Sequence, residues 1–302
     1  MRHSLQKHIG TVQVDLDGTW VVASRFGVQL PISKDPIFES GFSNCLELLA
    51  RTGLRATFFV VARDLAVPWK RRLITRAFDH GHELANHTMN HFGNLNSCDT
   101  STKIHEIEEA ERAIQAITGS QPRGFKSPGY QMDQTILACL VRRGYGYDSS
   151  VIPSYVLPLI RLVEMALARR RTPPYGSFAD AVKPSQPYVM SLKWGTTNEF
   201  RLTEIPTSVV PFLRLPFHGS FVSNLGRSYF HTCFKLFSSA SPFLNFVLHL
   251  KDLAPASIAG VPLYHTRSGN LLLFEDILKH MQAKYRLQRT IDFQKYFLRS
   301  LA

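Results

Sequence analysis

Residues 9 to 16, Ile9-Gly10-Thr11-Val12-Gln13-Val14-Asp15-Leu16, alternate between outward and inward types with a period of two, which predicts a first strand. Over residues 41–52 the period lengthens: Phe42, Leu46, Leu48 and Leu49 suit one face of an amphipathic helix closed by Gly53. Ala56-Thr57-Phe58-Phe59-Val60-Val61 is apolar almost throughout, as expected of a strand buried on both faces of a parallel sheet. A helix over 69–79 and a short strand over 82–86 follow. Residues 101–117 then predict a charged helix with Ile104, Ile107, Ala110, Ile114 and Ile117 inward and Gly119 as its stop. Another unit runs from Gly124 through a helix at 132–143 to Gly146-Tyr147-Asp148-Ser149-Ser150. Strands alternating with helices of this length argue for an α/β protein with a parallel sheet, open or closed.

Beyond residue 150 the pattern is less regular. Residues 155–171 mix apolar positions with Arg161 and the run Arg169-Arg170-Arg171, which suits a barrel helix with a solvated end or a helix lying on a membrane surface. Pro158 at its start favours the former. The stretch Thr172-Pro173-Pro174-Tyr175-Gly176 and a loop over 183–197 read as a cleft wall or lid, followed by strands at 200–205 and 212–217. Leu271, Leu273, Phe274, Ile277, Leu278 and Met281 mark a late helix over 270–285. A single domain over 1–302, elaborated at 151–244, is the expected organisation.

Composition adds little to the fold and something to the choice of partner. With 302 residues, 44% hydrophobic and 19% charged, the chain resembles an ordinary globular protein. A net charge of +12 favours anionic partners, but no nucleic-acid-binding motif accompanies it, so none is expected. No uncharged apolar run approaches the roughly 18 residues of a membrane span. Met1 to His8 lacks a signal-like apolar core, so the expected location is cytoplasmic, with peripheral membrane contact left open. Cys45, Cys98, Cys139 and Cys233 are widely spaced and read as free structural thiols.

The candidate chemistry lies at the strand ends. Asp17-Gly18 closes the first strand, where α/β folds place their sites, although an ordinary Asp-Gly turn is also consistent with it. His87 and His91 stand at i and i+4, a spacing that in a helical turn brings two imidazoles to one face, ready to share a metal ion.

In order along the chain, Val14-Asp15-Leu16-Asp17-Gly18, Ala56 to Val60, His87-Thr88-Met89-Asn90-His91, Phe125-Lys126-Ser127-Pro128-Gly129-Tyr130 and Tyr147-Asp148-Ser149-Ser150 resemble the motifs of the polysaccharide deacetylase, or NodB-homology, family. Asn245 to Leu253 resembles its last motif, an apolar strand ending in histidine. The resemblance implies a distorted (β/α) barrel of fewer than eight regular units. It also implies metal-dependent hydrolysis of an N-acyl group, acetyl above all, on an amino sugar. In those terms Asp17, His87 and His91 hold a divalent metal, zinc for preference, and Asp15 is the general base with Lys126 beside it. His249 is the general acid oriented by Asp148, and the backbone N–H of Tyr130, after Gly129, supports the oxyanion. His218 is a candidate for the substrate cleft, whereas His265 reads as structural.

Two departures from the family pattern stand out. Leu16 separates two aspartates that are commonly adjacent, although strand alternation still puts Asp15 and Asp17 on one face. Lys126 replaces a common arginine, keeping the charge but not the two-pronged contact. Three functions are therefore weighed: a deacetylase of an amino-sugar glycan or its precursor, a deformylase or deacetylase of a polyprenyl-phosphate-linked amino sugar, and a carbohydrate-binding relative with impaired catalysis.

Overall fold

A computed structural model of the chain describes residues 8–157, 178–194, 198–254 and 270–301. One nine-stranded sheet organises them. Its central strand, β1 (His8–Asp15), is flanked on one side by β2 (Thr57–Val60), β3 (Glu83–Asn86), β4 (Gly124–Phe125) and β5 (Tyr147–Asp148), all parallel. The sheet continues through β7 (Asn198–Glu204), parallel to β5, and ends on β6 (Tyr188–Trp194), which is antiparallel to β7. On the other side β1 pairs in parallel with β8 (Phe243–His249), while β9 (Tyr285–Gln288) pairs with residues 8–11 of β1. The segment after β7 leans back on β8, where Ser208 N–H donates to the Asn245 carbonyl at 3.1 Å, so the sheet curls into an incompletely closed barrel.

The alternation of β1 decides which way each side chain goes. Val12, Val14 and Leu16 enter the main apolar core with Phe38, Phe42, Leu48 and Phe58. Those residues pack the helical layer built on α2 (Phe42–Thr52), α3 (Pro68–Asp79) and α4 (Thr100–Thr118). Each such side chain, once fully buried, contributes on the order of 1.5–3 kcal/mol. Thr11, Gln13 and Asp15 point to the other face, into a polar barrel interior. There Thr11 Oγ1 donates to Asn245 Oδ1 at 2.9 Å and Ser149 Oγ donates to Gln13 Oε1 at 3.0 Å. Buried polar groups must be bonded, and this ladder of paired side chains leads up the barrel to Asp15 at the C-terminal end of β1.

Several expectations need correction. The stretch read as a loop over 183–197 contains β6, and 212–217 is a turn with a single bridge, Val209 to Pro216, rather than a strand. Phe212 and Arg214 there adopt positive φ angles of 64° and 49°, which no strand accommodates. The helices α6 (Gly219–Ala240) and α8 (Thr290–Leu301) were not anticipated, whereas α5 (Gln134–Arg142) and α7 (Asn270–Lys284) fall where expected. Most of the 155–171 segment and His265 lie outside the described residues. Among the described residues no helix is long and apolar enough to cross a membrane.

Candidate active site

Four strand ends deliver the site. β1 ends at Asp15, directly in register with His249 at the end of β8. Two residues past β1, Asp17 lies in a turn whose shape depends on Gly18: a Cβ there would sit 2.0 Å from Asp35 Oδ2. The Asp35 carboxylate fills that space because it accepts hydrogen bonds from Thr19 N–H (2.6 Å), Thr19 Oγ1 (2.7 Å) and Phe38 N–H (2.9 Å). Lys70 Nζ, fully buried, neutralises both Asp35 and Asp64 at 2.6 Å each, and Trp20 Nε1 donates to Asp64 at 2.9 Å. Burial pushes the Asp64 carboxyl up to about 6 despite the pull of Lys70. This ionic floor fixes the Asp17 turn from below.

β3 ends at Asn86, whose Oδ1 accepts from Thr88 N–H at 2.7 Å. Thr88 and His91 take positive φ angles of 67° and 53°. The two histidines therefore converge through a tight loop, not along a helical face as their spacing suggested. Thr88 Oγ1 closes the loop by accepting from His91 N–H at 3.1 Å, and Glu106 of α4 pins Asn90 through two bonds of 2.7 and 2.6 Å. Such strained backbone persists only where its surroundings over-determine it.

The result is a buried cluster. Asp17 Oδ1 lies 3.6 Å from His87 Nε2 and 3.3 Å from His91 Nε2, while Asp17 Oδ2 is held by Arg25 at 2.8 Å. Burial works against the Asp17 charge, but His91, His87 and Arg25 outweigh it and hold the carboxyl well below its usual range. His91 is shifted down, by burial first, with Asp17 opposing. His87 Nδ1 faces the Lys126 carbonyl at 2.7 Å, so its N–H points there and Nε2 presents a lone pair. Asp17 Oδ1, His87 Nε2 and His91 Nε2 are all buried without a conventional hydrogen bond, and the three ligand atoms lie within 4.8 Å of one another. Three orphaned acceptors of imidazole and carboxylate type, turned towards one point, fit a divalent ion such as zinc.

Beside this cluster Asp15 Oδ1 accepts from Lys126 Nζ at 2.7 Å, and Asp15 Oδ2 faces His249 Nε2 at 3.5 Å. Lys126 also lies 4.3 Å above the Phe59 ring. Burial lowers its pKa, with Asp15 opposing. On the far side of the His249 ring, Nδ1 meets Ser220 Oγ at 3.2 Å, and Asp252 Oδ2 accepts from both Ser220 Oγ (3.2 Å) and His249 N–H (2.9 Å). A cavity of about 240 Å³ opens over the two groups, with Tyr130, Ile152, Phe221, His218 and Lys251 among its walls.

A family model described as polysaccharide deacetylase matches residues 33–147. Over those residues the chain is similar to the polysaccharide deacetylases. A chitooligosaccharide deacetylase from Bradyrhizobium sp. (strain ANU 289) is 35% identical over 100 residues, 33% of this chain and 44% of that protein. The chain thus spans less than half the length of the curated relatives it matches. A probable polysaccharide deacetylase from Pseudomonas aeruginosa PAO1 superposes with a TM-score of 0.62 at 16% identity, covering 96% of this chain and 91% of that one. The allantoinase Puue gives a TM-score of 0.62 at 14% identity, covering 97% and 94%. The barrel is therefore that of the deacetylases, and since an allantoinase shares it, the fold alone does not select a substrate.

Set against this deacetylase-type barrel, the residues singled out from sequence divide into two groups. Asp15, Asp17, His87, His91, Gly129, Tyr130, His218 and His249 all line the cavity, with Lys126 directly behind Asp15. Asp148 does not take the position expected of it. Its Oδ1 accepts from Ser150 Oγ at 2.6 Å and it lies beside Glu204 across the β5–β7 pair, while the partners of the His249 ring are Asp15, Ser220 and Asp252. The Tyr130 N–H is likewise committed: it donates to the Ser127 carbonyl at 3.0 Å and is not available to an oxyanion. Arg25, Ser220, Asp252 and the Asp35–Lys70–Asp64 floor went unread. Only Asp252 carried a usable signal, since its offset of three from His249 is the spacing of a capping box, which the structure contains.

Proposed function

We propose that the chain is a divalent-metal-dependent hydrolase that removes an N-acyl group, in the first instance acetyl, from an amino sugar of a glycan or its precursor. The observation that carries the reading is the pairing of two sets: the orphaned Asp17, His87 and His91 acceptors, and immediately beside them Asp15 bridging Lys126 and His249. Asp17, His87 and His91 would hold a zinc-like ion, which would supply Lewis acidity to water and to the amide carbonyl. The remaining steps fall to the chain's own groups. Asp15 takes the proton of the attacking water, with Lys126 fixing Oδ1 so that Oδ2 stays turned to the cavity. The C–N bond breaks as His249 passes a proton to the departing amine, leaving carboxylate and free amino sugar. Ser220 and Asp252 hold the His249 ring in place. His218, its pKa pushed down to about 3 by burial and by the neighbouring His249 charge, stays neutral and serves as a hydrogen-bonding wall for the sugar.

A reading without catalysis is the weakest of the three, because Lys126 reaches Asp15 at 2.7 Å and so meets the requirement that its replacement of arginine put in question. The lipid-linked reading draws support from Lys251, a cation at the cavity with no carboxylate partner among the described residues, which suits a sugar phosphate. The test is acetate release from N-acetylated chitooligosaccharides by zinc-loaded protein, set against acyl release from a polyprenyl-phosphate-linked amino sugar. Asp15→Asn is expected to keep its zinc and lose about 10² to 10⁴-fold in turnover. A zinc-loaded wild type inert on both substrates sinks the proposal.

A further inference from the structure

A second group of metal-ligating side chains stands outside the active site. His231 on α6 faces Asp276 and His280 on α7, and one ligand atom from each lies within 4.8 Å of the other two. Two of its features match the Asp17 cluster. The ring centroids of His231 and His280 are 4.9 Å apart at an interplanar angle of 75°, against 4.9 Å and 77° for His87 and His91. With Zn–N bonds of about 2.0–2.1 Å, two imidazoles on one tetrahedral ion place their ring centres roughly 5 Å apart. His280 Nδ1 lies 2.9 Å from the Asp276 carbonyl and 3.4 Å from Asp276 Oδ1, so the ring is held against that carboxylate. Asp276 gives one carboxylate oxygen to Arg227, as Asp17 gives one to Arg25.

We propose that His231, Asp276 and His280 form a second divalent-cation site, of the imidazole–carboxylate type that selects zinc over magnesium or calcium. The site clips α6 to α7. His231 and Asp276 are half-buried and His280 is exposed, so water completes the coordination and the ion exchanges with solvent more readily than one held by the buried cluster.

The two clusters share no residue, which makes the sites separable. Metal-stripped protein is dialysed against Zn²⁺ alone and its zinc counted by elemental analysis. Wild type is expected to take two equivalents, His91→Ala one, and the double variant His231→Ala/His280→Ala one. The double variant should retain wild-type turnover, whereas His91→Ala should not. Asp276→Asn, which keeps the helix surface intact, provides a second variant and should also lose one equivalent. A double variant that binds as much zinc as wild type overturns the assignment. So does a His91→Ala protein that binds none. Two equivalents in a protein inactive on every acyl amino sugar leave this site standing and refute the catalytic reading instead.

Discussion

At the level of single residues, the most informative contact is the one on the outer side of the His249 ring. Asp252 is buried, which opposes its charge, yet the hydrogen bond and charge of His249 outweigh burial and hold its carboxyl below the usual range. Asp252 is thus a positioning residue, acting through His249 rather than on substrate. Asp252→Asn keeps the bond to the His249 N–H and removes the charge. Its turnover is expected to fall about 10 to 100-fold with zinc content unchanged. Measuring kcat beside the melting temperature decides between this and a merely structural cap, whose loss would lower both together. The same contact marks the limit of reading sites from sequence. Asp17, His87 and His91 were legible because ligand chemistry restricts residue type and strand ends restrict place. The partner of His249 was misassigned to Asp148 because the motif resemblance outweighed the capping-box offset of Asp252, the one signal that distinguishes these two acidic residues.

Among elements, legibility followed length and burial. β1 and β2 were readable because alternation and continuous apolarity are strong signals over five or more residues. β4 and β5, each two residues long, carry no period at all and were placed only through their motifs. α6 is interrupted by Gly226, at φ 83° and ψ −171°, but its second half was legible, since Phe230, Cys233, Phe234 and Phe237 stand at helical spacing. The 212–217 stretch misled in the opposite sense: its apolar Phe212 and Leu213 are exposed, and Arg214 draws the turn together by donating to the Ala181 and Lys183 carbonyls at 2.7 Å each. The β5–β7 pairing also brings Asp148 opposite Glu204, two fully buried carboxyls. Burial, and then the Asp148 charge, push Glu204 well above its usual value, and burial raises Asp148 as well. A carboxyl whose folded pKa exceeds its unfolded one binds more protons when folded, so its stabilisation is present at low pH and is lost as pH rises. Glu204→Gln, neutral at every pH, is therefore expected to melt higher than wild type at pH 8, by on the order of 2–4 °C per kcal/mol released, with the gap closing by pH 4. Equal melting temperatures at pH 8 would mean the pair is stabilised by a cation instead.

For the molecule as a whole, metal binding at the two proposed clusters would turn ligand occupancy into stability. Each is assembled by the fold from distant parts of the chain, Asp17 with His87 and His91 in one case and His231 with Asp276 and His280 in the other, so neither exists in the unfolded state. An ion that binds only the native state stabilises it by RT ln(1 + [L]/Kd), about 2.7 kcal/mol at a hundredfold excess over Kd. In a protein of this size each kcal/mol moves the melting temperature by roughly 2–4 °C. Exhaustive chelation should therefore lower the melting temperature by several degrees, and zinc at increasing concentration should restore it in two phases, the buried cluster filling first. Because the clusters share no side chain, their contributions should add. His91→Ala should abolish the first phase and leave the second, and His231→Ala/His280→Ala should do the reverse. Melting curves recorded across a zinc titration for all three proteins test this directly. A single phase in wild type that His91→Ala removes entirely would confine metal binding to the catalytic cluster. A melting temperature indifferent to zinc in every protein would remove both sites, and with them the Lewis acid on which the proposed hydrolysis depends.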